Sequence, residues 1–127
     1  MSSPIQTSIA PWFTLRDCAR AVEFYKKAFG AVETYRLEIP DGGLIVRLNI
    51  SGAEFWLSSG ANVSDGKENL GGEHVRMILT VEDPHSFFKN AIEAGAVEIY
   101  PVQEEHGWRL GRIEDPFGMH WEIGHLI

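Results

Sequence analysis

The chain carries the same pattern twice. Gly30-Ala31-Val32-Glu33-Thr34-Tyr35 returns as Gly95-Ala96-Val97-Glu98-Ile99-Tyr100, and Thr14-Leu15-Arg16-Asp17 returns as Thr80-Val81-Glu82-Asp83, at nearly the same offset. Each match falls at the same point of a strand, helix, strand succession, so the chain reads as two copies of one supersecondary unit. A duplication of this kind gives most positions in one copy a structural counterpart in the other. It also requires both copies to bury their apolar faces in the same way.

In the first copy, residues 9–15 are apolar and read as a strand, and Asp17 stands where an N-cap would accept backbone N–H bonds ahead of a helix over 19–29. Ala21, Val22, Tyr25, Ala28 and Phe29 form one helical stripe, and Gly30 stops it. Strands follow at about 32–39, 44–50 and 54–58, separated by Pro40-Asp41-Gly42-Gly43 and Ser51-Gly52. The second copy repeats this grammar: a strand over 75–81, Asp83-Pro84 opening a helix that Gly95 closes, then strands near 97–102, 108–114 and 120–123. Asp115-Pro116-Phe117-Gly118 has the residue order of a type I turn. The pattern implies one α+β domain over 1–127, made of two βαβββ modules (about 5–59 and 73–127) whose strands form a curved mixed sheet with helices on its convex face. Residues 60–72, within a stretch rich in Gly, Ser and Asn, read as a linker or as a lid over a cleft.

A chain of 127 residues can bury roughly two thirds of its unfolded surface in a core without a disulfide or structural metal. Its single cysteine, Cys18, suits a reducing cytoplasm and reads as a small helix residue rather than a nucleophile. The formal charge of −7 opposes a nucleic-acid footprint, which needs clustered Lys and Arg, and mildly favours a neutral or cationic ligand. No apolar run approaches a membrane span, and the first residues lack a basic-then-apolar secretory pattern.

Side chains alternate faces along a strand, so the apolar set marks the face beneath the helix. Val75, Met77, Leu79 and Val81 form such a set, leaving His74, Arg76, Ile78 and Thr80 opposite. The repeat places Ser8, Ala10, Trp12 and Thr14 on the matching face of the first strand. In the last strand Trp121 and Ile123 pack inward, leaving His120 and Glu122 opposite, with Glu54 and Trp56 as their counterparts. Indoles beside an Arg and a Glu in a hollow have the composition of a small-molecule site. The alternative is a filled core in which the Arg and Glu satisfy each other.

On these residues the chain resembles the vicinal-oxygen-chelate superfamily, which groups glyoxalase I, bleomycin resistance proteins and extradiol dioxygenases. The features that carry the resemblance are the paired βαβββ units, Arg16-Asp17 followed by Ala21-Val22-Glu23-Phe24-Tyr25 and the Phe29-Gly30 stop, and Glu114-Asp115-Pro116-Phe117-Gly118 leading to Glu122. The resemblance implies that a metal-dependent member would place its ligands at Ala10, Trp56, Arg76 and Glu122. Ala10 and Trp56 have no ligand atom and Arg76 carries a permanent positive charge, so no metal and no cofactor are expected. Arg76 can instead fork onto Glu122, or onto a carboxylate or phosphonate of a ligand. His74, His120 and Glu122 would form an unconventional metal site only if their side chains converge.

The run Ala10-Pro11-Trp12-Phe13-Thr14-Leu15-Arg16-Asp17 also resembles bleomycin resistance proteins, which implies an exchanged N-terminal arm in a homodimer and an aromatic groove. Read without a partner, Pro11 is an edge-strand residue that blocks aggregation. The resulting expectation is a cleft formed by Trp12, Trp56, Arg76 and Glu122, flanked by Glu54, His74 and His120, that holds a small organic molecule without chemistry. Two alternatives stand beside it: a glyoxalase-like lyase or isomerase using Glu122 or His120 as base with Arg76 as electrostatic partner, and a structural dimer with a vestigial cleft.

Overall fold

The computed structural model describes residues 5–40, 42–60 and 74–127. Most of the expected linker, 61–72, and Asp41 of the first turn lie outside the described residues. The element order is β1 (Trp12–Leu15), α1 (Cys18–Phe29), β2 (Val32–Glu38), β3 (Leu44–Ile50), β4 (Ala53–Ser59), β5 (Met77–Thr80), α2 (Pro84–Ala94), β6 (Val97–Glu105), β7 (Trp108–Glu114) and β8 (His120–Leu126). This is the α+β pairing of two βαβββ modules implied by the repeat.

Both helices begin in the same way, and each ends at a glycine of positive φ. Asp17 and Asp83 accept the backbone N–H of Arg20 and Ser86 at 3.0 and 3.2 Å, and Pro84 adds its fixed φ at the first turn of α2. Gly30 closes α1 at φ 70°, a left-handed conformation that a side chain would oppose.

The strands form two four-stranded sheets, ordered β1-β4-β3-β2 and β5-β8-β7-β6. In each, the first strand pairs parallel to the last and the other pairings are antiparallel. Each second strand has an irregularity at the same place, between Glu33 and Tyr35 and between Glu98 and Tyr100. An extra residue there reverses the alternation of faces beyond it. β1 and β5 start later than the apolar pattern suggests, at Trp12 and Met77. Pro11 has no N–H for a ladder, although its carbonyl accepts from Trp56 at 2.9 Å. β6 runs on to Glu105, past Pro101, because an edge strand tolerates a proline.

The helix-covered sides of the two sheets share one core. Phe13, Val46, Leu48, Phe55 and Leu57 from the first sheet and Leu79, Ile113, Trp121 and Ile123 from the second belong to a single buried cluster. Trp121 joins the halves, with ring centroids 5.6 Å from Phe55, 5.5 Å from Tyr25 and 4.9 Å from Phe29. Asp115 is buried beside them and accepts from the Tyr25 hydroxyl and the Trp121 indole. Because the backs of both sheets enter this core, the opposite faces are the ones left to form a site.

Candidate functional site

On the free face of the first sheet, strand register lays Tyr35, Arg47, Trp56 and Trp12 side by side across β2, β3, β4 and β1. The indoles of Trp12 and Trp56 stack, with centroids 5.6 Å apart and planes 15° from parallel. Tyr35 meets the other side of Trp56 at 5.5 Å, and the Arg47 guanidinium lies 5.3 Å from the Trp56 ring centre, within cation–π range. Arg47 is held by Glu54 at 3.3 Å and donates to Thr34 at 2.8 Å. The Trp12 N–H donates to Ser58 Oγ at 2.9 Å, which fixes its ring while leaving Trp12 51% exposed. The result is a fixed aromatic wall with one open side.

The equivalent row on the second sheet is Tyr100, Arg112, Glu122 and Ile78, across β6, β7, β8 and β5. Tyrosine and arginine recur, while Trp56 is exchanged for Glu122 and Trp12 for Ile78. Tyr100, Glu122 and Ile78 of this row line an open hollow of about 780 Å³, whose polar lining also includes Arg76 and Gln103 and whose apolar lining also includes Trp108 and Leu110. Arg76, just ahead of β5, ion-pairs with Glu122. The acid is the covered member of the pair, with its side chain 11% exposed against 42% for that of Arg76. Burial and the nearby Glu122 charge hold the Tyr100 phenol above its ordinary pKa, so it stays protonated at neutral pH.

His120 receives the Arg112 Nε–H on Nδ1 at 3.1 Å, which assigns the ring proton of a neutral imidazole to Nε2, 3.9 Å from Glu114. His74 is exposed. The seven residues expected to frame one cleft therefore divide between the sheets. Trp12, Glu54 and Trp56 belong to the aromatic wall, and Arg76 and Glu122 to the hollow, with His120 beside Arg112. The hollow named here is lined from the second module alone, because both sheets turn their helix-covered backs into the common core.

Tyr35, Arg47, Tyr100 and Arg112 are site residues that the sequence reading passed over. The two tyrosines were visible as the last residues of the repeated hexapeptide, yet simple alternation does not assign their face across the irregularity in β2 and β6. Arg47 and Arg112 sit at matching positions of the third strand of each module, a second signal from the duplication. Cys18 is buried, and its thiol is pushed up to about 11, chiefly by desolvation. It is an unreactive helix residue.

The metal positions implied by the family resemblance do not fit a divalent ion. Ala10 and Trp56 offer no donor atom, and the Arg76 guanidinium occupies the Glu122 carboxylate. Among the described residues, no three His, Cys, Asp or Glu side chains are gathered to hold a metal ion.

Residues 10–123 match the Glyoxalase/Bleomycin resistance protein/Dioxygenase superfamily, and the chain belongs to that family. It is similar to an uncharacterized protein of Mycobacterium bovis, 37% identical over 134 aligned positions that take in 100% of this chain and 88% of that protein. The crystal structure of an Arabidopsis thaliana gene product superposes with a TM-score of 0.71 at 29% identity, covering 95% of this chain and 100% of that one. The genomically encoded fosfomycin resistance protein FosX of Listeria monocytogenes superposes with a TM-score of 0.75, covering 98% of this chain and 96% of that one. At 12% identity the FosX match shows a shared fold and nothing finer. No helix among the described residues is long and apolar enough to cross a membrane.

Proposed function

We propose that the protein binds a small organic molecule, without a metal and without chemistry, in a cleft made by two copies of the chain. In each cleft the aromatic wall of one copy faces the charged hollow of the other. The observation that carries this reading is the half-exposed, hydrogen-bonded Trp12 stacked on Trp56, on a face turned away from the core. A stacked indole pair of this kind is a ready surface for a flat ring. Exposed Tyr35, Leu37 and Ile78 on or beside the two rows add apolar surface that a second copy would cover. The reading extends to sequestration of an antibiotic, in keeping with the resemblance of the run Ala10-Pro11-Trp12-Phe13-Thr14-Leu15-Arg16-Asp17 to bleomycin resistance proteins. It includes a cytoplasmic setting, which the single buried thiol of Cys18 supports.

Two measurements test the proposal. Sedimentation equilibrium should give a dimer, and titration with 2-naphthamide, a neutral planar probe, should quench tryptophan fluorescence in the native protein and not in Trp12→Ala. A monomer, or quenching that ignores Trp12, would overturn it. A glyoxalase-like lyase or isomerase remains the second reading because Glu122 lies in the hollow beside Arg76. His120 is the weaker base of the two candidates, since Arg112 occupies its acceptor nitrogen. Formation of product beyond one equivalent per chain from a candidate substrate would replace binding with turnover.

A further inference from the structure

The hollow of the second sheet presents hydrogen-bond donors from Arg76, Tyr100 and Gln103. Arg112 and Tyr100 are lateral neighbours on β7 and β6, within electrostatic reach of each other. A guanidinium can only donate, so in any bond between them the Tyr100 oxygen accepts and its own O–H is left for another partner. Arg112 is fixed in turn by donating Nε–H to His120 at 3.1 Å. Arg76 uses Nε on Glu122, while its side chain remains 42% exposed and lines the hollow. Gln103 stands on the same lining and supplies an amide N–H₂.

Of the ion pair on the lining, Arg76 is the exposed member and Glu122 the covered one. The exposed acid on the lining, Glu105, is at the β6 end of the hairpin, where it meets His106 at 3.4 Å.

Resting on the binding function proposed above, the geometry points to an oxyanion subsite: Arg76 and the Tyr100 O–H hold a carboxylate carried by the flat ligand, and Arg112 positions Tyr100. The ligand class is an aromatic carboxylic acid, with its ring against Trp12 and Trp56 of one copy and its carboxylate in the hollow of the other. The raised pKa of Tyr100 suits this role, because a phenol that stays protonated next to a bound anion remains a donor. Glu122 orients Arg76 through its Nε and leaves the outer guanidinium nitrogens for the ligand, the fork geometry that favours carboxylates.

The test compares 2-naphthoate with 2-naphthamide, two probes of nearly the same shape that differ in charge, by calorimetric titration of the full chain. In the native protein naphthoate should bind about tenfold more tightly than naphthamide, the gain expected of one charge-assisted contact. Arg76→Gln should weaken naphthoate more than naphthamide and so abolish that preference. Tyr100→Phe, which keeps the ring and its packing, should reduce the preference as well, and Arg112→Gln should act in the same direction through Tyr100. Equal binding of both probes by the native protein would overturn the oxyanion subsite and leave the aromatic wall standing. A naphthoate preference that survives in both Arg76→Gln and Tyr100→Phe would also overturn it. Failure of both probes to bind would overturn the subsite and the binding function together.

Discussion

Asp115→Ala removes the acceptor at which the two modules meet. The carboxylate is 2% exposed and receives the Tyr25 hydroxyl at 2.5 Å, the Trp121 N–H at 2.9 Å, and the backbone N–H groups of Phe117 and Met119 at 2.9 and 3.0 Å. Tyr25 arrives from α1 and the other donors from the second module, so the bond to Tyr25 crosses between them. Alanine would leave two deeply buried side-chain donors without a partner, at about 1–3 kcal/mol each. Relief from burying a carboxylate works in the opposite direction. Desolvation raises the Asp115 pKa and outweighs the donors, led by Tyr25, that lower it. The net loss should be about 3 kcal/mol, a large part of the ~5–15 kcal/mol that holds a domain together.

Tyr25→Phe, which removes one bond and keeps the ring, should cost about 1.5 kcal/mol. The double variant should cost less than the sum by about 1 kcal/mol, because neither residue can lose the same bond twice. Urea unfolding followed by tryptophan fluorescence, in which Trp121 reports on this contact, measures all three variants. A loss below about 1 kcal/mol for Asp115→Ala, or strict additivity, would refute the reasoning. The pH dependence has a definite sign as well. A raised folded-state pKa means that the contribution of Asp115 is full below its unfolded value of 3.8 and is lost as pH rises through the folded value. Asp115→Asn should remove that component.

Three further outcomes are expected. Arg76 and Glu122, one half-exposed and one covered, should couple by about 1–2 kcal/mol in a double-mutant cycle on urea stability, between the values typical of surface and buried pairs, and additive effects would mean that the pair does not form in solution. Glu33 is held down to about 2 chiefly by its hydrogen bond from Arg36, with Lys26 assisting, so its contribution is present above the ordinary 4.5 and lost as pH falls through about 2. Glu33→Gln should flatten that part of an acid-unfolding curve by no more than about 1 kcal/mol, and high salt should shrink the effect. Gly124→Ala would place a Cβ 2.0 Å from the Arg109 carbonyl oxygen and 2.5 Å from Leu110 Cβ, so β7 must shift, at about 3 kcal/mol or more in thermal unfolding. Gly30→Ala meets open space and should cost only about 1 kcal/mol, for its φ of 70°.

The sequence by itself determined what is local or repeated in this protein. The duplication of Gly30–Tyr35 in Gly95–Tyr100 specified two equivalent modules. Asp17 and Asp83 marked the helix starts because a short carboxylate satisfies first-turn N–H groups wherever it stands. Period-two alternation assigned Leu79, Trp121 and Ile123 to the core, and left Trp12, Ile78 and Glu122 on the faces away from it. It even paired Arg76 with Glu122, since the repeat sets strand order and register together. What the tertiary structure decided depends on surfaces far apart in the chain. Only the docking of the modules through Phe55, Tyr25, Trp121 and Asp115 shows that their backs share a core, so that one expected cleft becomes an aromatic wall and a charged hollow on separate sheets. The irregularities before Tyr35 and Tyr100 are equally hidden, because which residue goes unpaired is set by the partner strand. Periodicity reports the face a residue takes within its own element, whereas the meeting of two faces follows from shape and hydrogen bonding between elements.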